Sequence, residues 1–352
     1  MKTSAKIKQL KLIKTLWGID EPNFQSIREE GYHGIEVIRL AYLFDRDGLI
    51  KNVNQAQLAL VCQIHTCGGY LKESGGHEHG HDSDADADAI GHDDGEYVYC
   101  GSDNVEEHKL DFKKQLLECQ ELLSEVEAGG FINVHAGTDS WTLPQAIDFL
   151  TFCMEEIEKQ QARATDAGAG RAITVTFETH RQRLFGNPFQ TRDILDALAA
   201  SGELDDTIHG HRLKLNADLS HWYCACERVF DATKAPDDGW WPKLLERVAE
   251  RCYYIHARFG WAQGPQMADP AAKECEADCK LQLATWAALI EGQRAMDDDG
   301  DDDDRDIYIS PEYGPAPYLA TMPHTQTPIA SLPSAVSYTK GKIEALFQGD
   351  GQ

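Results

Sequence analysis

Short runs of branched and aromatic apolar residues recur along this chain, and longer segments with helical spacing separate most of them. The apolar runs lie at 12–17, 34–38, 58–66, 131–135, 173–179, 213–219, 252–257 and 306–311. Several are apolar along their whole length, as strands covered on both faces must be. Helical spacing marks 22–30, 104–128, 143–160, 189–200, 242–251, 273–294 and 331–347. Strand and helix in alternation predict a parallel sheet with crossover helices. Eight strands in this rhythm favour a closed sheet over an open one. No glycine-rich turn follows an early strand, as a dinucleotide-binding sheet requires. The expected fold class is α/β, a (β/α)8 TIM barrel, with residues 1–352 as one domain.

Two segments interrupt the rhythm. Residues 75–95 read GGHEHGHDSDADADAIGHDDG. Low complexity and the near absence of large apolar residues predict a disordered acidic, histidine-rich loop after the third strand. His77, His79, His81 and His92 in it read as part of a solvated spacer, because ordering a flexible tract around a metal carries a high entropy cost. Residues 297–306 form a second acidic loop before the eighth strand.

These runs hold much of the net charge of −26. An acidic surface repels phosphate backbones, so no nucleic-acid partner is expected. No apolar run nears the roughly 20 residues a membrane span needs, so no membrane partner is expected either. Residues 1–16 carry lysines but no apolar stretch before a small-residue cleavage site, which makes a cytoplasmic location the expectation. The 10 cysteines are scattered without paired CxxC knuckles and are expected to be reduced and structural.

The strand ends carry the chemistry. The third ends Gln63-Ile64-His65 and the fourth Asn133-Val134-His135. The fifth runs out through Glu178-Thr179-His180, the sixth through Asp218-Leu219-Ser220-His221, the seventh through His256-Ala257-Arg258, and the eighth through Pro311-Glu312. In a barrel these ends converge on one mouth. Carboxylates gathered there repel one another and resist desolvation unless a cation sits among them. Glu178, Asp218, His256 and Glu312 make a mixed oxygen and nitrogen set suited to one divalent metal ion, Mn, Mg, Co or Zn. A lone strand-end histidine such as His65 is ordinarily a core residue. The weight lies in six strands delivering such groups together.

The segments Phe177-Glu178-Thr179-His180-Arg181, Ala217-Asp218-Leu219-Ser220-His221-Trp222, His256-Ala257-Arg258 and Pro311-Glu312-Tyr313-Gly314-Pro315 resemble the xylose-isomerase-like barrel superfamily. Within it they look closest to the sugar phosphate isomerase/epimerase group, whose second strand Gly31-Tyr32-His33-Gly34-Ile35-Glu36 also resembles. The resemblance spans nearly the whole chain apart from the acidic insertions. It implies that Glu178, Asp218, His256 and Glu312 ligate the metal. It implies that Glu178 and Glu312 are also the catalytic acid–base pair, and that His221 and Arg258 bind substrate oxygens.

The implied reaction is proton transfer next to a carbonyl, through an enediolate that a cation stabilises, which isomerises or epimerises a sugar or a related polyol or hydroxy acid. His180, His135, His65 and Trp17 are further candidate substrate contacts, and Arg181 and Arg183 are candidates for an anionic substrate group. Glu36 reads equally as a ligand holder or a structural residue. Trp17 and Trp222 read as an apolar wall or as packing. The expected partner is a small-molecule sugar or polyol, and barrels of this type often form homodimers.

Three rival readings use the same residues. A dehydratase or ring-opening lyase acting on a cyclic hydroxy acid or inosose would need the same metal and carboxylates. DNA-repair endonucleases of the superfamily hold three zinc ions, and His65 and His135 match their extra ligand positions. Their further Asp-x-His is here Asp269-Pro270-Ala271, and the acidic charge opposes DNA. A non-enzymatic sugar-binding barrel would have no use for two opposed glutamates and Arg258.

Overall fold

A computed structural model of the chain describes residues 8–19, 21–39, 45–67, 70–72, 97–99, 102–166, 173–200, 207–208, 211–234, 238–295 and 306–349. Eight parallel strands close into a barrel. They are β1 (Leu10–Thr15), β2 (Gly34–Val37), β3 (Ala59–His65), β4 (Gly130–His135), β5 (Val175–Glu178), β6 (Leu215–Ala217), β7 (Cys252–His256) and β8 (Ile307–Ser310). Around the barrel the order is β1-β8-β7-β6-β5-β4-β3-β2, each strand beside its sequence neighbours and β8 closing on β1. Every expected apolar run overlaps one of these strands, and the first and fourth strands begin before the run that predicts them. The histidine-rich segment 75–95 lies outside the described residues, as does 297–306 apart from Asp306. No helix of the described residues is long and apolar enough to cross a membrane.

Side chains alternate in and out along each strand. Leu60, Cys62 and Ile64 of β3, Ile132 and Val134 of β4, and Ile307 and Ile309 of β8 join the main apolar core, together with buried residues of the helices. Opposite parity fills the barrel. Ile13, Val61, Phe131 and Tyr254, joined by Tyr253 next along the chain, form a separate buried cluster with Tyr308 packed on it. The ring of Phe131 lies 5.1 Å from those of Tyr254 and Tyr308. This apolar plug closes the floor, so any chemistry is confined to the opposite, C-terminal mouth.

The helices are α1 (Phe24–Glu29), α2 (Arg46–Gln55), α3 (Val105–Leu123), α4 (Leu143–Asp166), α5 (Pro188–Ala200), α6 (Ser220–Ala225), α7 (Trp241–Ala249), α8 (Glu276–Ala295) and α9 (Leu332–Gln348). The spacing read from sequence misses α2 and α6. Only Leu49, Ile50 and Val53 of α2 are buried, and Gly48, Asn52 and Asn54 interrupt its pattern. Asp45 caps its start by accepting from the Gly48 N–H at 3.0 Å. Short antiparallel ribbons pair Tyr70–Lys72 with Tyr97–Tyr99 and Thr207–Ile208 with His211–Arg212.

Gly130 shows how closely β4 is packed. A Cβ there would lie 1.9 Å from the Leu60 carbonyl oxygen and 2.8 Å from Leu123. Backbone of a central strand cannot give way cheaply, so Gly130→Ala is expected to destabilise the protein by about 1–3 kcal/mol. The check is a lowered urea midpoint. An unchanged midpoint would contradict this packing of β3 against β4.

Candidate active site

The C-terminal ends of the strands deliver the expected residues into one buried cluster. Glu178 closes β5, His256 closes β7, and Asp218, Arg258 and Glu312 stand just past β6, β7 and β8. All five side chains are buried. Two side-chain amides set the loops that carry the last of them. Gln266 donates to the Gly314 carbonyl at 2.9 Å and accepts from the Gly314 N–H at 2.8 Å, which fixes the turn after Glu312. Gln282 of α8 does the same for Gly260, at 2.8 and 2.9 Å, after Arg258.

Glu178 Oε2 accepts from Asn133 Nδ2 at 2.6 Å, His135 Nε2 at 2.9 Å and Asn216 Nδ2 at 3.2 Å. His256 Nδ1 lies 3.5 Å from Glu178 Oε2 and 3.0 Å from Glu312 Oε2. Neither contact has hydrogen-bond geometry, and both His256 Nδ1 and Glu312 Oε2 are buried without a hydrogen-bond partner. Asp218 Oδ1 accepts from the Ser220 N–H at 3.1 Å, and its other oxygen takes Arg258 Nη2. Arg258 Nη2 also lies 2.7 Å from His221 Nε2 and 3.7 Å from Glu312 Oε2, and Arg258 Nε donates to Ser220 Oγ at 3.2 Å.

Opposing forces set the charges. Burial would raise Glu178, but the imidazoles of His135 and His256 hold it well below the usual carboxylate range. Burial likewise opposes ionisation of Glu312, and Arg258 with His256 brings it down to about 2. Asp218 goes the other way. Its complete burial, with Glu312 and Glu178 nearby, raises it to about 7 against the pull of Arg258. His65, His180 and His221 are pushed well below the usual imidazole range, first by burial and then by neighbouring imidazoles and arginines. Burial also opposes the cationic form of His256, but Glu312, Glu36 and Glu178 raise it well above that range. Of these four histidines, His256 is the one the surrounding carboxylates favour as a cation.

Among the described residues, four sets of three side chains have the spacing to hold a metal ion. Asp218, His256 and Glu312 form one set. Glu178 belongs to the other three, with His135 and His180, with Glu36 and His256, and with Asp218 and His221. The four expected ligands are therefore brought together as overlapping threes. Carboxylate oxygens and an imidazole nitrogen, two of them (Glu312 Oε2 and His256 Nδ1) buried without hydrogen bonds, fit a divalent cation.

The remaining candidates divide. The rings of His65, His135, His180 and His221 form a continuous line, with centroids 4.3, 4.5 and 4.0 Å apart in that order. Trp17 is half-buried and meets Tyr318 edge-on at 4.5 Å. Tyr318 in turn lies under the Arg258 and Arg181 guanidiniums, at 4.9 and 5.0 Å. Trp222 is packing rather than wall, since it is fully buried and donates to the Phe185 carbonyl at 2.8 Å. Arg183 Nη1 donates to the carbonyls of Thr66 and Gly137, at 3.0 and 3.3 Å, and so ties the ends of β3 and β4 together. Asp269 caps the Ala271 N–H in an exposed turn at 3.0 Å.

The closed parallel barrel is a (β/α)8 TIM-barrel fold. It superposes on the IOLI protein solved with a bound zinc atom at a TM-score of 0.52 and 11% sequence identity, covering 96% of this chain and 98% of that one. It also matches 3-keto-D-glucoside 4-epimerase YcjR from E. coli at a TM-score of 0.47 and 13% identity, covering 97% of this chain and 100% of that one. D-Psicose 3-epimerase from Clostridium cellulolyticum H10 matches at 0.48 and 8%, covering 97% and 100%. At these identities the likeness is one of fold. No family model matches the chain, and no curated protein matches it in sequence.

Proposed function

We propose that this protein is a divalent-metal-dependent isomerase or epimerase that moves a proton next to the carbonyl of a sugar, a related polyol or a hydroxy acid. The observation that carries the reading is the pair His256 Nδ1 and Glu312 Oε2. They are buried 3.0 Å apart without a hydrogen bond, with Glu178 and Asp218 beside them.

Asp218, His256, Glu312 and Glu178 would hold the ion. Bound there, a divalent cation supplies Lewis-acid polarisation of a substrate carbonyl. The two glutamates reach the centre from β5 and β8, three strands apart around the barrel, so they approach a bound substrate from different sides. Their environments differ. Glu178 has one oxygen committed to three donors, whereas Glu312 Oε2 has none. Glu312 is therefore the stronger candidate to take the carbon-bound proton, and Glu178 to serve the opposite face. Arg258 and His221 hold substrate oxygens, and Tyr318 with Trp17 excludes water from one side.

The test is to incubate the Mn²⁺-loaded protein with a panel of ketoses, aldoses and cyclic polyol ketones in D₂O. The recovered compounds are analysed by mass spectrometry and NMR. Expected is one deuterium on the carbon next to the carbonyl, with a new epimer or isomer. Metal bound but no exchange with any compound would overturn the proton-transfer reading.

A further inference from the structure

Glu36 stands in the centre of the barrel, 2% exposed, one layer below the strand ends. Its spacing to Glu178 and His256 would let it ligate a metal. Its hydrogen bonds argue otherwise. Oε1 accepts from Gln63 Nε2 at 2.9 Å and Asn133 Nδ2 at 3.0 Å. Oε2 accepts from the Tyr254 hydroxyl and from His256 Nε2, both at 2.8 Å. A carboxylate offers about four lone-pair sites, and four donors from β3, β4 and β7 occupy them. No oxygen of Glu36 is left for a cation.

The same bonds assign the nitrogens of His256. A carboxylate receiving amide and hydroxyl protons on every side acts as an acceptor, so Nε2 carries the proton. The two ring nitrogens are distinct, and the bond made by one decides the role of the other. Nδ1 is then the nitrogen left facing Glu178 and Glu312, where it makes no hydrogen bond and can give its lone pair to a metal that displaces any proton there. We infer that Glu36 is a positioning residue that accepts the Nε2 proton of His256 and thereby presents Nδ1 as the metal-ligating nitrogen. This rests on the metal reading above. A carboxylate behind a ligating histidine fixes the ring and raises its basicity, and its loss typically weakens metal binding by about 10–100-fold.

Glu36→Gln tests this with no change in size. If the new amide NH₂ faces Gln63 and Asn133, three donors meet without an acceptor. If it faces His256, the imidazole must give up its Nε2 proton and protonate Nδ1, which closes the ligating lone pair. Zn²⁺ titration by calorimetry is expected to show affinity lowered by about 10–100-fold. Tyr254→Phe removes the other donor on Oε2 but leaves the His256 bond, so its affinity is expected to stay within a few-fold of wild type.

The wild-type protein gives a second measurement that does not depend on a variant folding. In Zn²⁺-loaded, ¹⁵N-labelled protein, long-range ¹H–¹⁵N spectra are expected to show His256 protonated on Nε2 and metallated on Nδ1. The reverse arrangement overturns the inference. So does a Glu36→Gln variant that binds Zn²⁺ as wild type does, or a Tyr254→Phe variant that loses as much affinity as Glu36→Gln. A wild-type protein that binds no Zn²⁺ overturns the metal reading and the inference with it.

Discussion

Glu312→Gln is expected to slow deuterium exchange next to the substrate carbonyl by about 10²–10⁴-fold, the usual contribution of a positioned acid or base. It should do so without emptying the site of metal, because a glutamine oxygen can still face the cation from the position of Oε2, which has no hydrogen bond to lose. Glu178→Gln is expected to behave differently. Glu178 Oε2 is fixed by the amides of Asn133 and Asn216 and by His135. A glutamine there must keep its oxygen on those donors, which turns its NH₂ into the mouth. That loses the base and sets a donor against a cation. Glu178→Gln should therefore lose both exchange and bound metal, and Glu312→Gln exchange alone. Measuring metal content beside the exchange rate separates the two. Full exchange in both variants would remove the glutamates from the chemistry.

The sequence held more of this site than its strand ends. Period two makes the residue two places before an inward-facing side chain also face inward. Gln63, Asn133, Thr176, Asn216, Tyr254 and Ser310 each stand two places before His65, His135, Glu178, Asp218, His256 or Glu312. Most of these six are polar residues inside otherwise apolar strands, and Gln63, Asn133, Asn216 and Tyr254 among them hold Glu36 and Glu178. That signal was legible by the same parity that locates the strands. Pairings between the ends of different strands were not. Arg258 reaches Asp218, 40 residues away, through the curvature of the sheet, and no local spacing encodes that. Arg183 is spent on two backbone carbonyls whose positions depend on where β3 and β4 end. Tyr318 sits in an irregular loop with no periodicity, so only the folded chain shows it against His180 at 3.4 Å and beneath two guanidiniums. Helix α2 escaped because three apolar residues in ten set no clear stripe.

The buried guanidinium gives the largest expected effect on stability. Arg258 is 2% exposed, Asp218 is 0% exposed, and the two are hydrogen-bonded. Removing one member of such a pair leaves an uncompensated buried charge, at a cost of about 3–5 kcal/mol. Without added metal, Arg258→Met should lower the unfolding free energy by that amount in urea titrations. The methionine fills most of the volume, so the loss would report charge rather than a cavity. Two further measurements identify the cause. Asp218→Asn in the same chain removes the stranded charge and should recover most of the loss, because neighbouring charges couple and do not add. Saturating Zn²⁺ should narrow the gap between Arg258→Met and wild type, since a cation among Asp218, His256 and Glu312 supplies the positive charge the arginine no longer provides. Arg258→Met with a wild-type urea midpoint would mean that the arginine does not neutralise the mouth. A deficit that Zn²⁺ leaves unchanged would mean that the cation does not bind beside Asp218. The arginine and the proposed metal would answer the same electrostatic need, which is set by Glu178, Asp218 and Glu312 converging at the end of one barrel.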